Sequence, residues 1–139
     1  MNYAIFLPTS ILVLYTLFMT PFMTLARFKA AKAGRVNAKY YKTYQGEGEP
    51  ADVAVKSRHY NNLLEMPILF YLWAVIVFVT GSTDTVMMTY AWLYVGLRGL
   101  HGFIHLGSNK ILYRMRVFAL SWLTLLIAWL TLVYRLFLS

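Results

Sequence analysis

The sequence predicts an all-α integral membrane protein, a bundle of four transmembrane helices forming one domain over residues 1–139. Three observations predict it. Of the 139 residues 60% are hydrophobic, 17% aromatic and only 13% charged, about half the charge that soluble domains use to cover their surface. Four apolar stretches, residues 3–26, 59–81, 86–106 and 117–138, each approach or exceed the roughly 20 residues a helix needs to cross a bilayer. No strand-length alternation separates them, and a closed barrel needs more strands than this length supplies.

The first stretch reads as a retained helix rather than a cleaved signal. No basic residue precedes it, Arg27 and Lys29 follow it, and no small-residue cleavage pattern closes it. Beyond it, residues 30–44 are basic and carry Tyr40, Tyr41 and Tyr44, which predicts a helical extension of the first span near anionic headgroups. Gly46, Gly48 and Pro50 break that helix, and Glu47 and Glu49 add an acidic pair. Asp52 is then placed to cap a short helical lead into the second span. Pro8, Pro21 and Pro67 fall within spans, where proline is tolerated and can kink the helix.

Charge orients the bundle. Arg27, Lys29, Lys32, Arg35, Lys39, Lys42, Lys56 and Arg58 lie in or beside the first connection, and Lys110, Arg114 and Arg116 in the third. The second connection, residues 82–85, has only Asp84. Positive connections stay inside, so the first and third face the cytoplasm and both termini face outward. The net charge of +8 therefore belongs to membrane topology, and nucleic acid is not an expected partner. Cysteine is absent, which excludes disulfides, thiolate metal sites and a protein thiol nucleophile. Thiol chemistry here needs a thiol brought by a ligand.

Polar residues collect at one membrane boundary. Arg58, Asn62 and Glu65 are spaced i, i+4, i+7 on one stripe of the second span, and Arg98, His101 and His105 are spaced i, i+3, i+7 near the end of the third. Arg27 ends the first span, and Arg114 and Arg116 precede the fourth. Ionisable groups at membrane depth cost about 2.5 to 3.5 kcal/mol each on insertion scales, so this cluster needs partners or a ligand. Arginines clamp carboxylates, Glu65 can accept from an ammonium, and Asn62 can do both. The set suits a small anionic or zwitterionic molecule, and a cationic cluster also favours a bound thiol's ionised form. Other readings stay open. The terminal arginines can be interfacial anchors, and Glu65 can form a structural ion pair with Arg58 or Arg98. A metal at His101 and His105 would need Glu65 as its third ligand, and none is expected.

The run Arg58-His-Tyr-Asn-Asn62-Leu-Leu-Glu65, an Arg-x3-Asn-x2-Glu pattern followed by Pro67, resembles the second-helix signature of the MAPEG superfamily, membrane-associated proteins in eicosanoid and glutathione metabolism. The run Arg98-Gly-Leu-His101-Gly-Phe-Ile-His105, followed by Asn109, Arg114, Arg116 and Phe118, is similar to its third-helix and loop signature. The resemblance implies a homotrimer of four-helix subunits that holds glutathione as co-substrate between neighbouring subunits at the cytoplasmic side. It implies that Arg58, Asn62 and Glu65 hold the tripeptide, that Arg27, Arg98, His101 and His105 line the site, and that Arg114 or Arg116 stabilises the thiolate. His105 stands where related branches often carry tyrosine, Asn61 replaces an arginine and Met66 a tyrosine. With Asn109 and Arg114, His105 is more similar to bacterial members, which implies a bacterial inner membrane.

The expected function is a membrane-embedded glutathione transferase or peroxidase acting on lipophilic electrophiles that enter from the bilayer. A non-catalytic member that binds lipid or a protein partner is the alternative. A pathway for ions or protons through Glu65, Arg98, His101 and His105 is the third reading.

Overall fold

The computed structural model describes residues 2–138. Every regular element among them is helical. A single 3-10 turn, Tyr3–Ile5, is capped by Asn2, whose Oδ1 accepts the Ala4 N–H at 3.0 Å. Helix α1 follows, Phe6–Lys32. Pro21 lies inside it without ending it, and the hydroxyls of Thr16, Thr20 and Thr24 each donate to the carbonyl four residues back. Polar side chains satisfied within their own helix suit an apolar solvent.

The predicted extension of α1 through residue 44 does not form. Gly34 adopts φ +69°, a left-handed conformation that glycine enters without a Cβ clash. Ala33, Gly34 and Arg35 then donate to the carbonyls of Lys29, Ala31 and Ala30, each at 3.0 Å. That C-terminal motif outweighs the helical composition beyond it. Only the short helix α2, Tyr40–Thr43, remains of the extension.

Helix α3, Ala51–Glu65, and helix α4, Pro67–Val79, meet at Met66, whose backbone stays helical, so the two form one rod. Proline at the first position of α4 lacks only a donor that a helix start leaves unpaired. The lead into the second span exists, but Asp52 does not cap it. Pro50 is the N-cap, and Asp52 sits in the first turn, where its carboxylate pairs with Arg35 at 2.5 Å. Helix α5, Thr85–Leu106, is capped by Asp84, which accepts the Met87 N–H at 2.9 Å and pairs with Arg135 of α6 at 2.5 Å. Helix α6 is Ile111–Phe137.

The residues 3–32, 51–79 and 111–137 form three helices long and apolar enough to cross a membrane. Helix α5 is 22 residues long but more polar, because Arg98, His101 and His105 lie on it. It packs most extensively on α6 and also touches α1 and α3. The apolar core joins α1, α4, α5 and α6 through Leu12, Phe70, Trp73, Met87, Ala91, Tyr94, Leu125 and Ala128. Trp73 is fully buried and donates its indole N–H to the Ala128 carbonyl at 3.1 Å. Phe70 and Tyr94 stack with ring centres 4.7 Å apart. Large apolar side chains such as Phe18, Phe103 and Phe137 cover the outside. A water-soluble monomer rarely exposes so much.

Candidate functional site

Helix α5 buries its polar face. Arg98, His101 and His105 are 1%, 3% and 5% exposed. The spacing read in the sequence puts them on one stripe, and packing turns that stripe inward toward α3 and α6. Arg98 donates through Nη2 to the Asn62 carbonyl at 3.0 Å and also to Asn62 Oδ1. Its guanidinium lies over the Phe118 ring, 5.7 Å from the centre. Arg98 Nε and Nη1 have no partner among the described residues. A buried donor left unpaired costs about 1 to 3 kcal/mol, more when charged.

The start of α6 supplies the second cation. Arg114 Nη1 donates to Asn109 Oδ1 at 2.8 Å and lies 3.5 Å from His105 Nε2. Asn109 takes φ 48°, a left-handed conformation asparagine tolerates better than most residues. The carbonyl of Arg114 accepts from His101 Nδ1 at 3.2 Å. One arginine thus engages the imidazoles of both histidines, one through its backbone and one through its side chain. Since guanidinium only donates, His105 presents its Nε2 lone pair to Arg114.

These groups surround a cavity of about 440 Å³. Arg58, Asn62, His101, His105 and Arg114 form its polar wall, and Met115, Phe118 and Ala119 its apolar one. Among the described residues, no carboxylate lines it. Arg58 and Arg114 line it and Arg98 is buried behind Asn62, a charge pattern that favours an anionic ligand.

Other sequence-predicted residues fall elsewhere. Arg27 donates to Glu49 Oε1 at 2.7 Å and Ser57 Oγ at 3.2 Å, and lies against the Tyr41 and Tyr44 rings. It lines a neighbouring cavity of about 300 Å³ with Glu49, Ser57 and Asn61, and Arg58 belongs to both cavities. Glu65 is exposed on the outside of α3, lines neither cavity, and makes no ion pair with Arg58 or Arg98. One helical turn separates it from Asn62, and Asn62 takes the role of partner to Arg98. Arg116 is also exposed and outside the cavity, so Arg114 is the loop arginine that reaches it.

Sequence reasoning missed His59. It is fully buried, and its Nε2 lies 2.7 Å from Tyr15 Oη. The signal was present, since His59 lies four residues before the buried Leu63 and eleven before the buried Phe70, on the core side of the α3–α4 rod. Glu49 was read only as part of a loop acidic pair, yet it is the carboxylate that holds Arg27.

The fold and the cavity define a class, a helical membrane protein with an open, cation-lined cavity near the C-terminal end of α5 and the start of α6. The MAPEG family model matches residues 5–134. The chain belongs to the MAPEG family and is a multi-pass integral membrane protein. No curated protein and no solved structure matches it.

Proposed function

We propose that this protein is a homotrimeric glutathione transferase or peroxidase of a bacterial inner membrane, acting on lipophilic electrophiles. Its four spans are α1, the α3–α4 rod, α5 and α6, with the basic connections cytoplasmic and both termini outward. The observation that carries this reading is the carboxylate-free cavity in which Arg58 and Arg114 converge, with Arg98 buried behind Asn62. Glutathione brings two carboxylates and an ammonium, and its thiol becomes an anion on ionisation. Arg58 takes a carboxylate, and Asn62 hydrogen-bonds the tripeptide. Glu65, on the outer face, takes the ammonium of a ligand shared with a neighbouring subunit. Arg98 supplies further positive potential, and Arg27, paired with Glu49, lines the adjoining cavity that shares Arg58.

The chemical step is attack by a thiolate held at Arg114, with His101 and His105 beside it. A preorganised cation stabilises such an anion at less cost in solvent reorganisation than water does. The apolar wall at Met115 and Phe118 receives the electrophile from the bilayer. The direct test is a glutathione titration of the detergent-solubilised protein, read by thiolate absorbance and thermal stability. Both should rise with ligand; a folded protein silent at millimolar glutathione would refute the proposal.

A further inference from the structure

His59, His101 and His105 come from two helices but form one imidazole cluster. Ring centres are 5.3 Å apart for His59 and His105, 5.7 Å for His101 and His105, and 6.4 Å for His59 and His101. Each ring keeps one nitrogen without a protein partner among the described residues: His59 Nδ1, His101 Nε2 and His105 Nδ1. His101 and His105 face the ligand cavity, whereas His59 does not line it.

His59 instead connects the cluster to the far side of α5. Its Nε2 meets Tyr15 Oη at 2.7 Å, and Tyr15 lines a groove of about 460 Å³ with Gly99, Gly102 and Phe103. Gly102 makes the pairing possible. A Cβ there would collide with Tyr15 Oη and approach His59 Cε1 to 3.0 Å. The groove also reaches Leu106 and Gly107, which line a smaller cavity of about 260 Å³ that contains Asp52, Lys56 and the other side of His105.

We propose that His59 and Tyr15 carry protons between this imidazole cluster and the α1–α5 groove, and so drain the proton that a bound thiol gives up. The second half of that statement rests on the glutathione reading; the first does not. In the step, the S–H bond breaks, its electron pair stays on sulfur beside Arg114, and the proton enters the cluster at His105 Nε2 as that ring releases one from Nδ1. It passes to His59, whose Nε2 gives a proton to Tyr15 Oη as the hydroxyl releases its own to water in the groove. No electrons are exchanged with any other reactant. His105 and His59 each work as a neutral relay, accepting at one nitrogen while donating from the other, whereas His101 keeps its Nδ1–H on the Arg114 carbonyl.

Tyr15→Phe tests this, because it keeps the ring and removes only the hydroxyl. In thiol-free protein with labelled histidines, exchange of the His59 ring N–H with water should slow about a hundredfold, the low end of what a positioned proton-transfer group supplies. With glutathione, thiolate should appear correspondingly more slowly, with an enlarged solvent deuterium effect but the parental final amplitude. His59→Gln, which keeps an amide but cannot relay, should slow thiolate formation similarly and serves if the first variant misfolds. Parental exchange and formation rates in Tyr15→Phe would overturn the proposal. So would a loss of final amplitude at unchanged rate, which marks a structural role. Slowed exchange with no thiolate even in the parent protein would support the proton path and sink the glutathione reading instead.

Discussion

Two buried regions of this molecule treat polar atoms in opposite ways. Around Trp73, Phe70, Ala74 and Ala128 the interior is apolar, and the Trp73 indole N–H has a backbone acceptor. Around Arg98, His59, His101 and His105 the interior is equally closed to solvent, yet five side-chain nitrogens lack partners among the described residues. Tyr94 stands at the border, with its ring stacked on Phe70 and its hydroxyl unpaired. The first region holds the helices together by packing. The second is poorly explained by stability, since an unpaired polar group in a low-dielectric interior costs free energy. The two proposals above give it a purpose, as a site prepared for a ligand and for protons.

The sharpest way to separate the regions is to truncate the first. Trp73→Ala removes a fully buried indole together with its hydrogen bond to the Ala128 carbonyl, and should cost about 3 to 5 kcal/mol in reversible unfolding in detergent. The fraction that stays folded should bind glutathione as the parent does. Loss of binding at full folding would erase the distinction between the regions.

Arg114→Met should do the reverse. Thiolate formation and turnover should fall about 100- to 1,000-fold, the range seen when one charge-stabilising donor is removed, while the unfolding midpoint changes little. Arg116→Met is the control and should retain turnover, because Arg116 lies outside the cavity. Equal losses in both variants would remove the assignment to Arg114.

Arg98→Met probes the cost side. Replacing a buried, partly unpaired charge by an apolar side chain of similar length is often neutral or stabilising, and here it frees Asn62 Oδ1 as well. Stability in the absence of ligand should stay within about 1 kcal/mol of the parent, measured by chemical denaturation, while glutathione affinity weakens. A large destabilisation would show that Arg98 is held by structure rather than kept for a ligand.

The smallest effect lies at the other end of α5. The Met87 N–H, followed by Arg135, holds the Asp84 carboxyl below its ordinary pKa of 3.8. Its stabilisation is therefore present above that ordinary value and is lost as pH falls through the lower folded value. Asp84→Asn keeps a capping oxygen but not the charge, so its stability deficit at neutral pH should disappear in acid. A deficit independent of pH would assign the effect to the cap alone.

Much of the site was legible in one dimension. The spacing of Arg98, His101 and His105 fixed a common helix face, because helical geometry depends only on the backbone repeat. The family signature grouped Arg58, Asn62 and Glu65 with one of Arg114 and Arg116; the structure brings Arg58, Asn62 and Arg114 to one cavity and leaves Glu65 and Arg116 outside it. What failed were inferences about partners. Glu65 was one alternative as counter-charge for Arg58 or Arg98, but α3 presents Asn62 to Arg98 instead. Asp52 looked like a cap by its place after Pro50, yet its carboxylate is engaged by Arg35 across a turn that Gly34 creates.

By itself the sequence determined that this is a helical membrane protein of the MAPEG type, with its polar residues gathered near one end. Composition, span length and helical period are properties of short stretches of chain, and short stretches can be read directly. Only the tertiary structure decided that Arg114 rather than Arg116 reaches the cavity, that Glu49 holds Arg27, and that His59 joins two histidines of another helix. Those outcomes depend on how far each rod rotates about its axis and how closely Gly102 lets α1 and α3 approach α5, quantities set by packing between residues distant in sequence.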